Sequence, residues 1–227
     1  LNNFDINTDL AISVGNLVGL ANSCYFDNIN VRNSVICNIK NSSTLDSIAV
    51  GGMVGRANYM FAVNQTEITG VNFATNHNNV SAVVGASDYF GEIYNTYAFV
   101  NRITTYKSNT GITTSNPTIK FVNANNVILK NNVHFVSSGV ANSDLMFANG
   151  NILDNKEFNY LVGTKTVADA TSVASANVNI TTLNKLDSRV WANNSDNTDS
   201  MGTLKLISTA FDMSTDEVAA LRDSMKP

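Results

Sequence analysis

The sequence predicts an extended, repeat-built all-β fold that ends in a short helix. Three observations lead to this prediction. A glycine-marked pattern recurs between residues 12 and 143, and short stretches of alternating apolar and polar residues follow its copies. Only two prolines, Pro117 and Pro227, occur in 227 residues, so almost every backbone N–H can join a β-ladder. Helix signals are sparse before residue 213.

The composition is rich in asparagine and poor in charge. Charged residues make up only 14% of the chain, whereas asparagine occurs 36 times and glutamine once. An AT-rich genome would raise lysine as well, yet only nine lysines are present. Asparagine tolerates the left-handed backbone region and bonds to nearby backbone in turns, and stacked asparagine amides form ladders. Both properties favour a coil that repeats the same turn.

The repeat is marked by glycines. Residues 12–23 (ISVGNLVGLANS) align with residues 48–59 (IAVGGMVGRANY) at an offset of 36, and residues 80–90 (VSAVVGASDYF) align with 50–60 at an offset of 30. The segment GVANS at 139–143 is similar to GLANS at 19–23. We therefore expect structural turns, where glycine supplies positive φ or lets a neighbouring backbone approach, at Gly19, Gly51, Gly52, Gly55, Gly85 and Gly139.

Alternating stretches predict the strands between the turns. In residues 28–36 the apolar positions are Ile29, Val31 and Val35, and in residues 92–100 the alternation places three apolar residues on one side, namely Ile93, Tyr97 and Phe99. Two further strands are predicted in the asparagine-rich middle of the chain, at Thr118–Val122 and Asn126–Leu129.

Three regions follow from these patterns: a glycine-phased β-repeat region (1–160), a β-rich closing segment (161–212) and a C-terminal helix (213–227). Ser214 and Glu217 form a capping box at the start of this helix. Val218, Leu221 and Met225 then form one apolar stripe. Such a helix either covers the open end of the β-stack or begins the connection to a neighbouring domain.

The glycine-phased units resemble the GLUG repeat, which has a glycine pair, an apolar pair, a second glycine, a polar turn and a strand. The most similar copy is Gly51-Gly52-Met53-Val54-Gly55. Residues 186–191 (LDSRVW) and 202–206 (GTLKL) are similar to the segment that often closes such regions. The resemblance implies a right-handed parallel β-helix or β-solenoid-like repeat in a bacterial or protist surface protein, often adhesive, with no assigned catalytic residues.

The residues give no sign of a catalytic, cofactor or metal centre. His77 and His134 sit in asparagine-rich stretches without metal-ligand spacing, so both are expected to be solvated. No G-x-S-x-G occurs, and the glycines at 51–55 lack the Lys-Ser/Thr of a phosphate loop. The acidic residues are spread singly. A carbohydrate-active β-helix enzyme remains the alternative, because stacking of repeats would bring Asp88 or Glu92 beside Glu67.

Four tyrosines are candidates for a sugar-binding platform, because an aromatic face suits the C–H face of a pyranose ring. The alternative is that they pack in or beside the core. They are Tyr59, Tyr89, Tyr94 and Tyr97.

The remaining features concern covalent modification and location. Cys24 and Cys37 either form a disulfide or are two buried thiols. N-x-S/T sequons make five asparagines candidates for glycosylation, namely Asn41, Asn64, Asn79, Asn179 and Asn193.

A non-enzymatic structural or adhesive segment of a larger extracellular or cell-surface protein fits these features, and a filament or other assembly is a further setting for it. Its expected partners are other protein chains or flanking repeats, with glycans as a further candidate. No Lys/Arg cluster suits a nucleic acid, and no apolar run of about 20 residues suits a membrane-spanning helix.

Overall fold

The computed structural model describes residues 4–5, 13–39, 49–75, 79–104, 118–136, 145–152, 159–162, 170–174, 177–183, 186–194 and 204–207. Within these ranges the chain is mostly β-strand and contains no α-helix, so the all-β prediction is confirmed. Fourteen strands form one large sheet whose pairings are all parallel, and two form a small antiparallel pair. The helix predicted at 213–227 lies outside the described residues.

The large sheet is organised in tiers, which are chain segments that lie side by side in sequence order. Tier 1 (13–39) contains β2 (Ser13–Gly15), β3 (Val18–Asp27), β4 (Asn30–Arg32) and β5 (Val35–Ile39), and β5 also pairs with β1 (Phe4–Asp5). Tier 2 (49–75) contains β6 (Ala49–Gly51) and β7 (Val54–Thr75), and tier 3 (79–104) contains β8 (Asn79–Ser81) and β9 (Val84–Thr104). Tier 4 (118–136) contains β10 (Thr118–Lys130) and β11 (Val133–Val136).

Five further strands follow tier 4. Three of them continue the parallel pairing: β12 (Leu145–Ile152) pairs with β10, β13 (Tyr160–Val162) with β11, and β14 (Thr171–Val173) with β13. The predicted boundary at 160/161 therefore falls inside β13. The antiparallel pair consists of β15 (Trp191–Asn193) and β16 (Leu204–Leu206).

The register between tiers follows the offsets of the sequence repeat. Ser13 pairs with Ala49, and Val54 pairs with Val84, which are the predicted offsets of 36 and 30 residues. A register shift between Asn22 and Cys24 changes the first offset by one residue, because Cys24 pairs with Phe61. An extra residue of this kind is a β-bulge.

Tier 4 differs from the sequence-based prediction. Ala124 pairs with Ser87, so residues 118–136 stand next to tier 3, where the sequence indicated a unit around Gly139. Gly139 itself lies outside the described residues. The reason is that tier 4 has no glycine at the repeat position; instead the Asn123 side chain donates a hydrogen bond of 2.9 Å to the Gly85 carbonyl. The strands predicted at Thr118–Val122 and Asn126–Leu129 both belong to β10.

The glycines of the repeat serve close packing of backbone against backbone. A Cβ on Gly55 would overlap the Val14 nitrogen and lie 2.6 Å from the Gly19 oxygen, and a Cβ on Gly85 would lie 2.5 Å from the Gly55 oxygen. Backbone oxygens also confine Gly51 and Gly52, and Gly19 less tightly, since the atom nearest to its Cβ would be the Ser13 oxygen at 2.8 Å. Positive φ does not explain the glycines of the repeat. In the described part of the chain, Gly70 is the only glycine with a positive φ, which is +67°.

Asparagine accounts for four of the eight described residues with positive φ. Asn28, Asn95 and Asn131 have φ of 53°, 46° and 58°, and they stand at the same corner of tiers 1, 3 and 4. Gln65 occupies this corner in tier 2, with φ of 47°. Because a short amide tolerates the left-handed region better than most side chains, the chain turns here in every tier. The role predicted for asparagine in turns is confirmed.

Stacked asparagine amides also link the tiers from inside. The Asn132 side chain donates to the Ile93 carbonyl (2.8 Å) and the Asn159 Oδ1 (3.1 Å), and its Oδ1 accepts from Thr96 N (3.0 Å). Asn159 in turn donates to the Leu129 carbonyl (2.8 Å). Asn132 and Asn159 are fully buried, and these hydrogen bonds offset the cost of burying their amides.

The interior of the tiers is apolar, and the left-handed corner changes which side of the strand faces it. Ile93 precedes the corner at Asn95 and lies in the main core, whereas Tyr97 and Phe99 follow it and belong to a second cluster on the outer face. The prediction that these three residues share one side was therefore wrong, because the turn at Asn95 interrupts the alternation.

His134 is also placed differently from the prediction. It lies in β11, is fully buried, and contacts the Phe121 ring edge-on at 5.6 Å between ring centroids. The turn ends at Asn132, so His134 is the inward residue of a strand. Burial lowers the pKa of His134 to about 3. A hydrogen bond with the Ala98 backbone raises this pKa, but its effect is smaller than that of burial.

The closing segment packs against the outer face of the tiers. Trp191, Leu204 and Leu206 are buried in the second cluster, and the Trp191 ring meets Tyr97 edge-on at 6.1 Å. This face lies beyond the corner at Gln65 and Asn95. The strand segments before that corner carry a different face, which bears the candidate site.

Candidate functional site

An open groove of about 620 Å³ crosses the outer face of tiers 1 to 3. Its more buried residues are Cys24, Phe61 and Ala62. Its exposed residues are Tyr25, Tyr59, Met60 and Tyr89, each between 50% and 64% exposed, and Ser23 and Glu92 complete the lining. Side chains of this size are rarely left exposed together unless they bind something. We refer to these nine residues as the tyrosine groove.

Parallel stacking brings the tyrosines of the groove together. Tyr59 stands in tier 2 and Tyr89 in tier 3, at the offset of 30 residues that relates these tiers. Their ring centroids are 5.3 Å apart and their planes are inclined by 34°. Tyr59 has a φ of 63°, a left-handed conformation that is unusual for an aromatic residue. The backbone bend at this position turns Tyr59 and Met60 outward together.

Hydrogen bonds hold the other walls of the groove. The Tyr94 hydroxyl donates to Glu92 Oε2 at 3.1 Å. The Tyr25 hydroxyl bonds to Asp27 and Asn64, and partial burial, followed by the charge of Asp27, raises the pKa of Tyr25. These contacts orient a tyrosine and a carboxylate before any ligand arrives.

A ladder of side-chain hydrogen bonds runs beside the groove and links its three tiers. Asn64 donates to Asp27 Oδ1 at 2.9 Å, and Asn95 donates to Asn64 Oδ1 at 3.1 Å. A second pair, Asn58 to Asn22 at 3.1 Å, lies on the same outer face before the tyrosines. The ladders predicted from the asparagine content are therefore confirmed.

The sequence singled out four tyrosines, either as a sugar-binding platform or as residues packed in or beside the core, and the structure contains examples of both. Tyr59 and Tyr89 form the exposed pair. Tyr94 is half-buried beside the groove and positions Glu92, and Tyr97 is fully buried against Trp191. Tyr25 and Met60, which the sequence did not single out as binding residues, belong to the groove as well. The register shift between Asn22 and Cys24 moves Tyr25 out of the simple 36-residue alignment.

Among the described residues, stacking of the tiers does not bring together the carboxylates that the sequence singled out. Glu92 pairs with Ala62, and Glu67 pairs with Asn30 and Tyr97, so stacking does not bring Glu67 beside Asp88 or Glu92. Asp88 is exposed and lies 3.5 Å from Arg56. In the described part of the chain, no three His, Cys, Asp or Glu side chains gather as metal ligands.

Glu67 has a structural role instead. It is 2% exposed and receives hydrogen bonds from Arg32 Nε (3.1 Å) and Nη2 (3.0 Å). Thr69 donates to Glu67 Oε1 (3.3 Å), and the backbone N–H of Leu206 donates to Oε2 (2.8 Å). Glu67 thus ties the closing segment to tier 2 across 139 residues of sequence.

Replacing Glu67 is expected to loosen the closing segment. Glu67→Ala removes the acceptor of Leu206 N and of Arg32, which should cost about 2 kcal/mol of unfolding free energy. Trp191, the only tryptophan, is buried against this face, so its fluorescence should shift to the red before the far-ultraviolet signal of the strands changes. Asp88→Ala removes an exposed carboxylate and serves as the control. An unchanged Trp191 emission and denaturation midpoint in Glu67→Ala would contradict this role.

The cysteines and sequons can be placed as follows. Cys24 is a free thiol that lines the groove, so it forms no disulfide with Cys37, and burial raises its pKa. Asn64 belongs to the amide ladder, and Ser81 in the sequon of Asn79 is fully buried. The side chain of Asn79 and residue Asn41 lie outside the described residues.

The two sequons of the closing segment have asparagines that take part in turn hydrogen bonds. Asn179 accepts from Thr182 N at 2.8 Å, and Asn193, which is exposed, accepts from Ile180 N at 2.9 Å. Glycosylation of these sites stays a prediction.

Comparison with protein-family models, characterised protein sequences and solved structures gives no match. The resemblance to the GLUG repeat therefore stays a prediction, which depends on the glycine-phased units and on residues 186–191 and 202–206. Among the described residues, no helix has the length and apolar character required to cross a membrane.

Proposed function

We propose that this chain is a non-enzymatic, adhesive β-solenoid segment of a larger extracellular or cell-surface protein. In this proposal the tiers are successive turns of a right-handed parallel β-helix, and the tyrosine groove is the surface that makes contact with a partner. The single observation that carries the proposal is the gathering of Tyr25, Tyr59, Met60 and Tyr89 on one exposed face by the parallel register.

The pairing pattern supports a solenoid. Each tier pairs in parallel with the next along most of its length, and the chain bends at the same left-handed corner in successive tiers. A strand that returns parallel to itself needs a crossover, and such crossovers are almost always right-handed. Backbone-to-backbone packing at Gly55 and the buried ladder through Asn132 make this coil rigid.

Rigidity suits an adhesive surface, because a preorganised site loses little conformational entropy on binding. The groove combines exposed aromatic rings with amide and carboxylate groups at its edge. Aromatic residues of this kind are enriched at binding hot spots. The partners we propose are other protein chains, flanking repeats or glycans.

Adhesion can be measured with the purified chain on beads against surfaces coated with mucin, fibronectin or microcrystalline cellulose. We expect retention on at least one surface and loss of retention in the double variant Tyr59→Ala/Tyr89→Ala. Leu20→Ala is the matched control, because Leu20 is an exposed apolar residue of β3 that does not line the groove. Equal retention of wild type and double variant would overturn the proposal.

The alternative function is a carbohydrate-active enzyme. The observation that favours it is that Glu92 places a carboxylate in an aromatic groove. Incubation with neutral and acidic polysaccharides should release no reducing or unsaturated ends. Cleavage that disappears in Asp88→Asn or Glu92→Gln would establish the enzyme and refute the non-enzymatic proposal.

A further inference from the structure

We infer that the ligand of the tyrosine groove is a neutral glycan chain that runs across the tiers. This inference rests on the adhesive function proposed above and specifies its ligand class. It depends on the size of the groove, the spacing of its aromatic rings and the sign of its charges.

The dimensions suit a short stretch of polysaccharide. A volume of about 620 Å³ lies within the range of about 300–1,000 Å³ typical of small-molecule sites. The groove extends over three tiers, a distance of about 10 Å at the usual spacing of paired strands. The groove is open to solvent and not enclosed, so a chain longer than the groove can extend beyond it.

The aromatic pair suits the apolar faces of sugar rings. Tyr59 and Tyr89 stand on successive tiers, with ring centroids 5.3 Å apart and planes inclined by 34°, and each side chain is about half exposed. An aromatic face has a negative quadrupole and attracts the C–H groups of a pyranose face. The amides of Asn22 and Asn58 lie on the same outer face and can serve the sugar hydroxyls.

The charges select against acidic sugars. Among the described residues that line the groove, Glu92 is the one ionisable carboxylate, and there is no lysine, arginine or histidine. Asp27 and Asp88 lie next to it, and Arg56 is paired with Asp88 at 3.5 Å. A uronate would place its carboxylate beside Glu92, and an unpaired like charge of this kind is a common basis of discrimination.

The test is isothermal titration of the whole chain with cellohexaose, mannohexaose and an oligogalacturonate of the same length. We expect at least one neutral oligosaccharide to bind about tenfold or more tightly than the oligogalacturonate, a difference of about 1.4 kcal/mol. Tyr59→Ala and Tyr89→Ala should each weaken binding about tenfold, whereas Leu20→Ala should not. Glu92→Gln should narrow the difference between neutral and acidic chains.

The outcomes separate this inference from the proposed function. If no neutral oligosaccharide binds, or if the oligogalacturonate binds more tightly, the inference is wrong. Retention on fibronectin that depends on Tyr59 and Tyr89 would then leave the adhesive function in place with a protein partner. If the tyrosine variants alter neither titration nor retention, both proposals fail.

Discussion

Gly55→Ala is expected to destabilise the chain by about 4 kcal/mol or more, a loss at the upper end of what single substitutions cause. The new methyl group would overlap the Val14 nitrogen and lie 2.7 Å from the Ser13 carbonyl carbon. These are backbone atoms of β2, which is held in place by its parallel pairing with β6. If the new methyl group met a side chain, that side chain could rotate away from it. The backbone of a paired strand cannot move without breaking the hydrogen bonds of the ladder.

Urea denaturation of the purified variant measures this loss. Ala86→Val is the matched control, because Ala86 lies on β9 one residue after Gly85 and is only half-buried. The two additional methyl groups of valine at position 86 should change the unfolding free energy by no more than about 0.5 kcal/mol. If Gly55→Ala unfolds at the same urea concentration as wild type, close packing is not the reason for glycine at this position.

The repeat alone predicts the part of the fold that contains Gly55. The offsets of 36 and 30 residues give the register of tiers 1 to 3, because parallel strands of a repeating coil place equivalent residues side by side. The position of tier 4 cannot be predicted from these offsets. Asn123 meets the Gly85 carbonyl with its side-chain amide, so the tier keeps the geometry of the repeat without its glycine.

The candidate site is predictable to the extent that it follows the register. Tyr59 and Tyr89 align at the offset of 30, so their proximity can be deduced from the sequence. Tyr25 cannot be placed in the same way, because tier 2 has one extra residue between Asn58 and Phe61, the partners of Asn22 and Cys24, and this residue shifts the alignment. The burial of Tyr97 is equally hidden, since it depends on the packing of Trp191 from the distant closing segment.

Long-range contacts explain the remaining differences. The Arg32–Glu67 pair could be anticipated from an offset near 37, which places Asn30 beside Glu67 and Arg32 two residues further along the same face. The hydrogen bond from Leu206 N to Glu67 could not be anticipated from the sequence, because no periodicity links the closing segment to tier 2. A folded repeat is thus predictable along its axis and much less so on the faces that other segments cover.

His134 should make the stability of the fold fall steeply with acid. Its pKa is about 3 in the folded state because of burial, whereas an unfolded histidine has a pKa near 6.5. Between these values the unfolded chain binds a proton that the folded chain does not, so lowering the pH favours unfolding. The contribution is complete above about pH 6.5 and decreases until about pH 3, with a loss of about 3 kcal/mol between pH 7 and pH 4.

A comparison of variants isolates this contribution from that of the carboxylates, which also titrate in acid. Urea denaturation at pH 7, 5.5 and 4 should show a steeper loss of stability for wild type than for His134→Leu, whose side chain cannot be protonated. His77→Gln removes the only other histidine of the chain and should leave the difference in place. Parallel pH profiles for wild type and His134→Leu would contradict this prediction, because they would mean that folding leaves the pKa of His134 unchanged.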